Sequence, residues 1–119
     1  MNLQNILKVI NTSIKNPAVS NGGYSIDVFA PQDLYLIPNA HISIKSGFAL
    51  NLPEPLVGLL ATKANLKDQF MVTTGQLIYP NDDVELNINL KYIGLSEIFI
   101  HKDEPLFQIV ILNGVKFND

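Results

Sequence analysis

The chain has 119 residues, 47% of them hydrophobic, and a formal net charge of −3. This size predicts one domain with its own core, and the charge balance argues against a disordered tail or a nucleic-acid-coating protein. There is no cysteine, which excludes disulfides, thiolate metal sites and cysteine nucleophiles. No apolar run reaches membrane-spanning length, and the first residues lack a basic secretory start. We therefore expect an intracellular, cytoplasmic protein with neither a membrane nor a nucleic-acid partner.

Short strands separated by turn residues follow one another along the chain. Asn16-Pro17 and Ser20–Gly23 are turn signals, and we expect a loop there. Val84–Leu90 alternates apolar and polar residues and predicts a half-buried strand. The other predicted strand segments are Ile6–Ile10, Tyr24–Ala30, Tyr35–Pro38, His41–Ser46, Phe48–Pro53, Val57–Ala61, Phe70–Thr74, Leu77–Tyr79, Ile98–Ile100 and Leu106–Leu112. Without a long 3.6-residue apolar repeat, this pattern predicts an all-β sandwich, barrel or jelly roll.

Residues suited to catalysis are few when the sequence is taken without any comparison. His41 and His101 have no metal-ligating residues at the usual spacing, so we expect surface or hydrogen-bonded histidines. Asp82 and Asp83 are adjacent in a predicted turn, where acids usually serve turn formation. Lys63 is a possible anion contact, but a solvated loop lysine is the more ordinary interpretation. No metal site is predicted.

All 8 basic residues are lysines. Proteins that handle phosphate favour arginine, because its planar guanidinium holds two oxygens at once. A bias toward lysine is also what an AT-rich viral genome would produce.

The order and spacing of several short segments resemble the trimeric dUTPase family over nearly the whole chain. Asp27–Ala30 is similar to the end of the family's first motif, and Gly47–Pro53 to its Gly-x-x-x-x-Leu-Pro segment. Thr62–Leu66 stands where the family has Pro-Arg-Ser-Gly-Leu. Gly75–Glu85 and Asp103–Gln108 stand where the third and fourth motifs belong.

This resemblance implies a single dUTPase-like jelly-roll domain over residues 1–119, assembled as a homotrimer with each active site between subunits. The family converts dUTP to dUMP and pyrophosphate with Mg²⁺, using a water that the third-motif aspartate activates. Such chemistry requires a carboxylate close to the water and cations that hold the triphosphate. The resemblance places nucleotide-binding remnants at Asp27, Lys63, Ala64, Asn65 and Gln108.

The sequence departs from the family pattern at positions that the chemistry requires. The catalytic aspartate aligns with Tyr79, which cannot act as a carboxylate base, and the sugar-stacking tyrosine aligns with Asp82. The second-motif arginine and serine become Lys63 and Ala64, and the fourth-motif arginine becomes Pro105. The Gly-rich fifth motif, an arm that closes over the nucleotide, has no counterpart in the C-terminal residues, so we expect a domain that lacks it.

These departures predict a degenerate, viral dUTPase-like homotrimer that has lost dUTP hydrolysis and acts as a binding or regulatory protein with an unidentified protein partner. They argue against nucleotide binding and against a cofactor, with Mg²⁺ expected only if activity is retained. The segment between Leu66 and Tyr79 is one residue shorter than the family spacing, so a shifted register of residues 67–83 would bring Asp82 or Asp83 into the site. One alternative is therefore a divergent Mg²⁺-dependent dUTP diphosphatase. The other is a structural viral component. For a viral protein, the expected location is the cytoplasm of the host cell.

Overall fold

The computed structural model describes residues 1–63, 66, 69–74 and 77–118, with the backbone alone at 73–74. Short 3-10 turns at Leu3–Asn5 and Asn21–Gly23 accompany the strands. The strands are β1 Leu7–Val9, β2 Ala18–Ser20, β3 Ser25–Phe29, β4 Leu34–Leu36, β5 His41–Lys45, β6 Phe48–Leu50, β7 Leu56–Thr62, β8 Phe70–Thr74, β9 Leu77–Ile78, β10 Asn87–Tyr92, β11 Ile98–Ile100 and β12 Pro105–Asn113. The predicted all-β class is confirmed. Within the described residues, no helix is long and apolar enough to cross a membrane.

A five-stranded antiparallel sheet in the order β2-β3-β12-β7-β9 forms one side of the fold. Strand β12 lies at its centre, and the register places Ile109 opposite both Ile26 on β3 and Leu60 on β7. Directly opposed residues share one face of a sheet, so these three side chains form an apolar row. All three are buried. The opposite face of the same strands points away from the core and carries the candidate site.

The remaining strands close the core. Strands β5, β10 and β8 form a three-stranded sheet, and the pairs β1–β6 and β4–β11 form two-stranded ribbons. Side chains from the large sheet, the small sheet and the ribbons meet in one hydrophobic cluster. Its most deeply buried large members are Phe48, Leu50, Leu52, Leu60, Ile88, Leu90 and Ile109.

Two segments differ from the sequence-based expectation. Residues 18–20, expected to be loop, form edge strand β2, which pairs with β3 through a turn with positive φ at Asn21, Gly22 and Gly23. Three residues are too few for an alternating pattern, and a proline just before an edge strand is tolerated. Strand β10 begins at Asn87 instead of Val84. Val84 is exposed, and the Glu85 carboxylate accepts a hydrogen bond from the Gly47 amide at 2.9 Å. Leu86 still exchanges backbone hydrogen bonds with Ser46 and Phe48, but the positive φ of Gly47 between them interrupts the regular ladder.

Gly58 fixes how closely β9 approaches β7. It lies opposite Ile78, and a Cβ on Gly58 would stand 3.2 Å from the Ile78 Cβ and 3.3 Å from the Ile109 Cγ2. The absence of a side chain therefore allows the start of the 77–86 segment to pack on the core.

We expect Gly58→Val to lower the free energy of unfolding by about 1–3 kcal/mol, because its methyl groups would overpack the space beside Ile78. Denaturant unfolding measures this change. The matched control is Ala61→Val, on the same strand but on the outer, half-buried face. An equal loss in both variants would show that the effect arises from strand β7 in general and not from the approach of β9.

Candidate functional site

A polar cluster lies on the outer face of the five-stranded sheet, where β3, β12 and β7 run side by side. Asp27 on β3 is opposite Gln108 on β12, which is in turn opposite Ala61 on β7. Lys63, just after β7, reaches back across this row, and its Nζ lies 2.8 Å from the Asp27 Oδ1. The two side chains are only 23% and 18% exposed. The result is a half-buried ion pair with hydrogen-bond geometry.

The turn between β2 and β3 supplies the other polar groups of the cluster. The Ser20 hydroxyl donates to the Asp27 Oδ1 at 3.0 Å and lies 2.9 Å from the Ser25 hydroxyl. The Asn21 amide donates to the Ser25 Oγ at 2.5 Å and to the Gln108 Oε1 at 3.4 Å. The left-handed backbone of residues 21–23 turns the Asn21 side chain over these strands. Six side chains from three stretches of the chain (20–27, 63 and 108) are thereby joined in one network.

Sequence reasoning found part of this cluster. It proposed Asp27, Lys63 and Gln108, and the structure brings these three together. The interpretation of Lys63 as a solvated loop lysine is wrong, because its ammonium is paired with Asp27 and its side chain is only partly exposed. Ala64 and Asn65 lie outside the described residues.

Sequence reasoning missed Ser20, Asn21 and Ser25. A two-residue period from Asp27 places Ser25 on the same sheet face, and this was the available signal. Ser20 and Asn21 had no comparable signal, since strand β2 itself was not predicted.

The charges of the cluster restrict its chemistry. Its one carboxylate, Asp27, already accepts from an ammonium and a hydroxyl at the same oxygen. Mg²⁺ in proteins is usually held by one or two carboxylates together with substrate phosphates and water. Across the described part of the chain, no three His, Asp or Glu side chains are grouped to hold a metal ion. Any metal ion at this cluster would therefore have to compete with Lys63 for the Asp27 carboxylate.

The other predicted positions lie at the far end of β7. Strand β9 pairs Ile78 with Gly58, so the next residue, Tyr79, falls near Val57. Val57 and Lys63 are six residues apart on an extended strand, a separation of roughly 20 Å. Tyr79 is exposed, as expected for a side chain beyond the end of the pairing. Within one chain, Tyr79 and Asp27 therefore lie too far apart to belong to the same site.

Asp82 and Asp83, which follow β9 in the chain, have different surroundings. The Asp83 carboxylate lies 3.4 Å from the Lys8 Nζ in an exposed pair. Asp82 lines a small cavity of about 160 Å³, together with Leu77 and Glu85. This cavity lies on the segment that stands where the third motif of the family belongs. It stands apart from the Asp27 cluster in the same chain.

This fold recurs in phage enzymes of known structure. The dUTPase of Staphylococcus bacteriophage 80alpha, solved with dUPNHPP, matches with a TM-score of 0.80 and 21% identity, covering 94% of this chain and 83% of that chain. The chain has the dUTPase fold. A mutant of the same phage dUTPase matches with a TM-score of 0.82 and 21% identity, over 94% and 91% of the two chains. A mutant dUTPase from phage phi11 of S. aureus matches with a TM-score of 0.81 and 19% identity, over 94% and 92%.

The resemblance indicated by the sequence motifs is confirmed at the level of the fold. The structure of the phi11 dUTPase is described as showing the coordination of a structural Mg(II) ion. That of the 80alpha dUTPase is described in terms of control of the transfer of virulence genes. No family model and no curated protein matches the sequence.

The Lys63–Asp27 pair is expected to contribute measurably to stability. We expect Lys63→Met to lower the free energy of unfolding by about 1–3 kcal/mol, because it leaves a half-buried carboxylate without its cation. A double-mutant cycle with Asp27→Asn should give a coupling energy of about 1 kcal/mol.

The Lys8–Asp83 pair is the internal control for this cycle. Its two side chains are 59% and 53% exposed, so its coupling energy should stay below about 0.5 kcal/mol. Equal coupling energies for the two pairs would contradict the structural distinction between them.

Proposed function

We propose that this dUTPase-fold chain is a homotrimeric binding or regulatory protein that does not hydrolyse dUTP. The observation that carries this proposal is the Lys63–Asp27 ion pair. It joins the one cation and the one acid of the described cluster to each other. A cluster satisfied in this way has no charge left over for a triphosphate.

A phosphate that bound at Lys63 would have to displace the Asp27 carboxylate. An anion that recruited Lys63 would leave the Asp27 carboxylate half-buried with only the Ser20 hydroxyl at the bonded oxygen. Leaving such a group without its cation is costly. The lysine ammonium is a point charge, whereas an arginine fork can serve a carboxylate and a phosphate in different directions. The pairing therefore favours a structural role for both residues.

The position that carries the general base in active dUTPases supports the same conclusion. Under the resemblance it is occupied by Tyr79, an exposed phenol beyond the end of β9. A neutral phenol is a poor base for activating water at neutral pH. The regulatory part of the proposal draws on the phage 80alpha dUTPase, whose structure is described in terms of control of virulence-gene transfer.

A homotrimer is supported by the outer face of the large sheet. Leu59, Leu77 and Leu112 are exposed there, on the same face as Asp27 and Gln108. Exposed aliphatic side chains clustered on one sheet face are typical of subunit contacts. Packing between copies would also be the route by which the 77–86 segment of one chain could approach the Asp27 cluster of another.

A divergent dUTP diphosphatase is the second candidate, because of the cavity beside Asp82. That carboxylate lies in the segment that corresponds to the third motif, and it lines a cavity together with Glu85. In this alternative Asp82 or Asp83 would replace the missing aspartate as the base, and Lys63 would contact phosphate.

We expect no pyrophosphate release above the buffer rate when the purified protein is mixed with dUTP and Mg²⁺. The reason is the absence of a carboxylate at the Tyr79 position and the neutralised cluster around Asp27. Titration calorimetry with a non-hydrolysable dUTP analogue should likewise give no heat of binding.

Metal-dependent release that disappears in Asp82→Asn or Asp83→Asn would establish the diphosphatase instead. Asp33→Asn is the matched control, since the Asp33 side chain accepts a hydrogen bond from the Lys102 amide, which an asparagine carbonyl also accepts. Binding of the analogue without turnover would identify a nucleotide-responsive protein.

We expect a solution mass of about 40 kDa by light scattering, three times the 13.2 kDa of the chain. Leu59→Glu should reduce this mass, because it places a charge on the apolar outer face of the large sheet. Leu95→Glu, at a fully exposed position in another part of the fold, should leave it unchanged. A monomeric mass for the unaltered protein would refute the assembly.

A further inference from the structure

The β4–β11 ribbon presents an exposed aromatic surface that neither the Asp27 cluster nor the proposed subunit contact uses. Its core-facing residues Leu34, Leu36 and Ile100 are buried, while Tyr35 and Phe99 lie directly opposite each other on the other face. Tyr35 is 61% exposed and Phe99 49%. Two large rings in register on a solvent-facing ribbon form a compact apolar platform.

Alternation along both strands extends this platform. On β4 the outward positions continue to Ile37, which is exposed, and on β11 to His101. The His101 ring packs edge-on against Phe99, with ring centroids 4.7 Å apart. At the other end Glu97 accepts a hydrogen bond from the Tyr35 hydroxyl. This hydrogen bond, with smaller effects of desolvation and the Glu97 charge, raises the pKa of Tyr35 above its ordinary value of 10.0.

Acidic side chains surround the apolar centre. The ribbon and the turn after it hold four carboxylates and one lysine, a local formal charge of −3; these residues are Asp33, Glu97, Asp103, Glu104 and Lys102. Backbone hydrogen bonds fix two of the carboxylates beside the ribbon. Asp33 accepts from the Lys102 amide at 2.7 Å, and Glu104 from the His101 amide at 3.0 Å. The platform is therefore apolar in the middle and negative around the edge.

We infer that the β4–β11 ribbon is a docking surface for a basic segment of another protein that carries at least one large apolar side chain. Aromatic side chains in an exposed patch are the usual anchors of protein interfaces. An acidic rim attracts lysine and arginine and raises the association rate of a basic partner. The combination selects a partner by charge and retains it by apolar contact.

The same charges disfavour other occupants. In a two-fold contact between copies, the acidic rim of one ribbon would face the acidic rim of the other, which is repulsive. Nucleic acid and anionic lipid carry phosphates, which a surface with a local charge of −3 repels. A basic protein segment is the occupant that both the apolar centre and the rim favour.

This inference goes beyond the proposed function, because the ribbon is separate from the Asp27 cluster. It holds whether or not the chain hydrolyses dUTP. If the regulatory role is correct, the ribbon supplies a surface through which a partner could be engaged.

The test is a selection of displayed random dodecapeptides on the purified, full-length protein, followed by fluorescence anisotropy with the enriched peptides. We expect these peptides to have net positive charge and a large apolar residue, and to bind more weakly at high salt. The double variant Tyr35→Thr/Phe99→Thr should weaken binding at least tenfold, because threonine keeps strand propensity while removing the rings. Glu97→Lys should also weaken it by reversing a rim charge.

Two controls make the result specific. Tyr24→Ser removes a more exposed aromatic ring in the turn just before β3 and should leave peptide affinity unchanged. Lys63→Met should also leave it unchanged, because Lys63 belongs to the Asp27 cluster, so a failure of the proposed function is distinguishable from a failure of this inference. Circular dichroism of each variant verifies folding, and Glu97→Lys provides the test if the double variant does not fold.

Several outcomes would overturn the inference. These are enriched peptides that are neutral or acidic, peptides whose affinity is the same for the double variant, or no enrichment over a selection on that variant. A lower solution mass for the double variant would assign the ribbon to contacts between copies. Binding of a DNA duplex that depends on Tyr35 and Phe99 would assign it to nucleic acid.

Discussion

The pairing of β12 with both β3 and β7 is the constraint on which the fold and the candidate site both depend. Ile109 must face the core, and it does so in a row with Ile26 and Leu60. Because side chains alternate, the same register necessarily places Gln108 beside Asp27 on the outer face. A slip of one residue would bury these polar groups and expose the aliphatic row, at a large cost in free energy. The apolar core thereby determines the geometry of the polar cluster.

Electrostatics then decides what that cluster can do. A charged side chain that is only about a fifth exposed requires a partner, and here Lys63 and Asp27 are partners of each other. The Ser20 hydroxyl supplies a further hydrogen bond from the β2 edge. In a site that binds a triphosphate, cations have to be directed at the ligand instead. The same scaffold can therefore support a nucleotide site or a self-satisfied polar network, according to which charges surround the sheet.

The chain also separates two surfaces of different chemistry. The outer face of the large sheet combines aliphatic side chains such as Leu59 and Leu112 with the Asp27 cluster. The β4–β11 ribbon instead combines the aromatic pair Tyr35 and Phe99 with an acidic rim. The first surface suits contacts between identical copies, since the charges of its Lys63–Asp27 pair cancel. The second suits a partner of opposite charge.

The alternating patterns in the sequence determined the all-β class and most of the strands, because a two-residue period is a local property of the chain. Ordered motifs also indicated the dUTPase fold and placed Asp27, Lys63 and Gln108 among the site residues. Strand β2 was not predicted, because three residues are too few to show a two-residue period. The contributions of Ser20 and Asn21 to the cluster were missed for the same reason.

The tertiary structure alone decided which side chains meet. Lys63 pairs with Asp27 across 36 positions of sequence, and Tyr35 meets Glu97 across 62. Neither contact follows from local propensity, because each depends on the register of strands that are distant in the chain. The separation of Tyr79 from the Asp27 cluster has the same origin, since the pairing of Gly58 with Ile78 places them at opposite ends of β7. The sequence by itself determined most of the strands and the faces of their side chains. Strand pairing decided which charged side chains meet and how far apart the candidate functional residues lie.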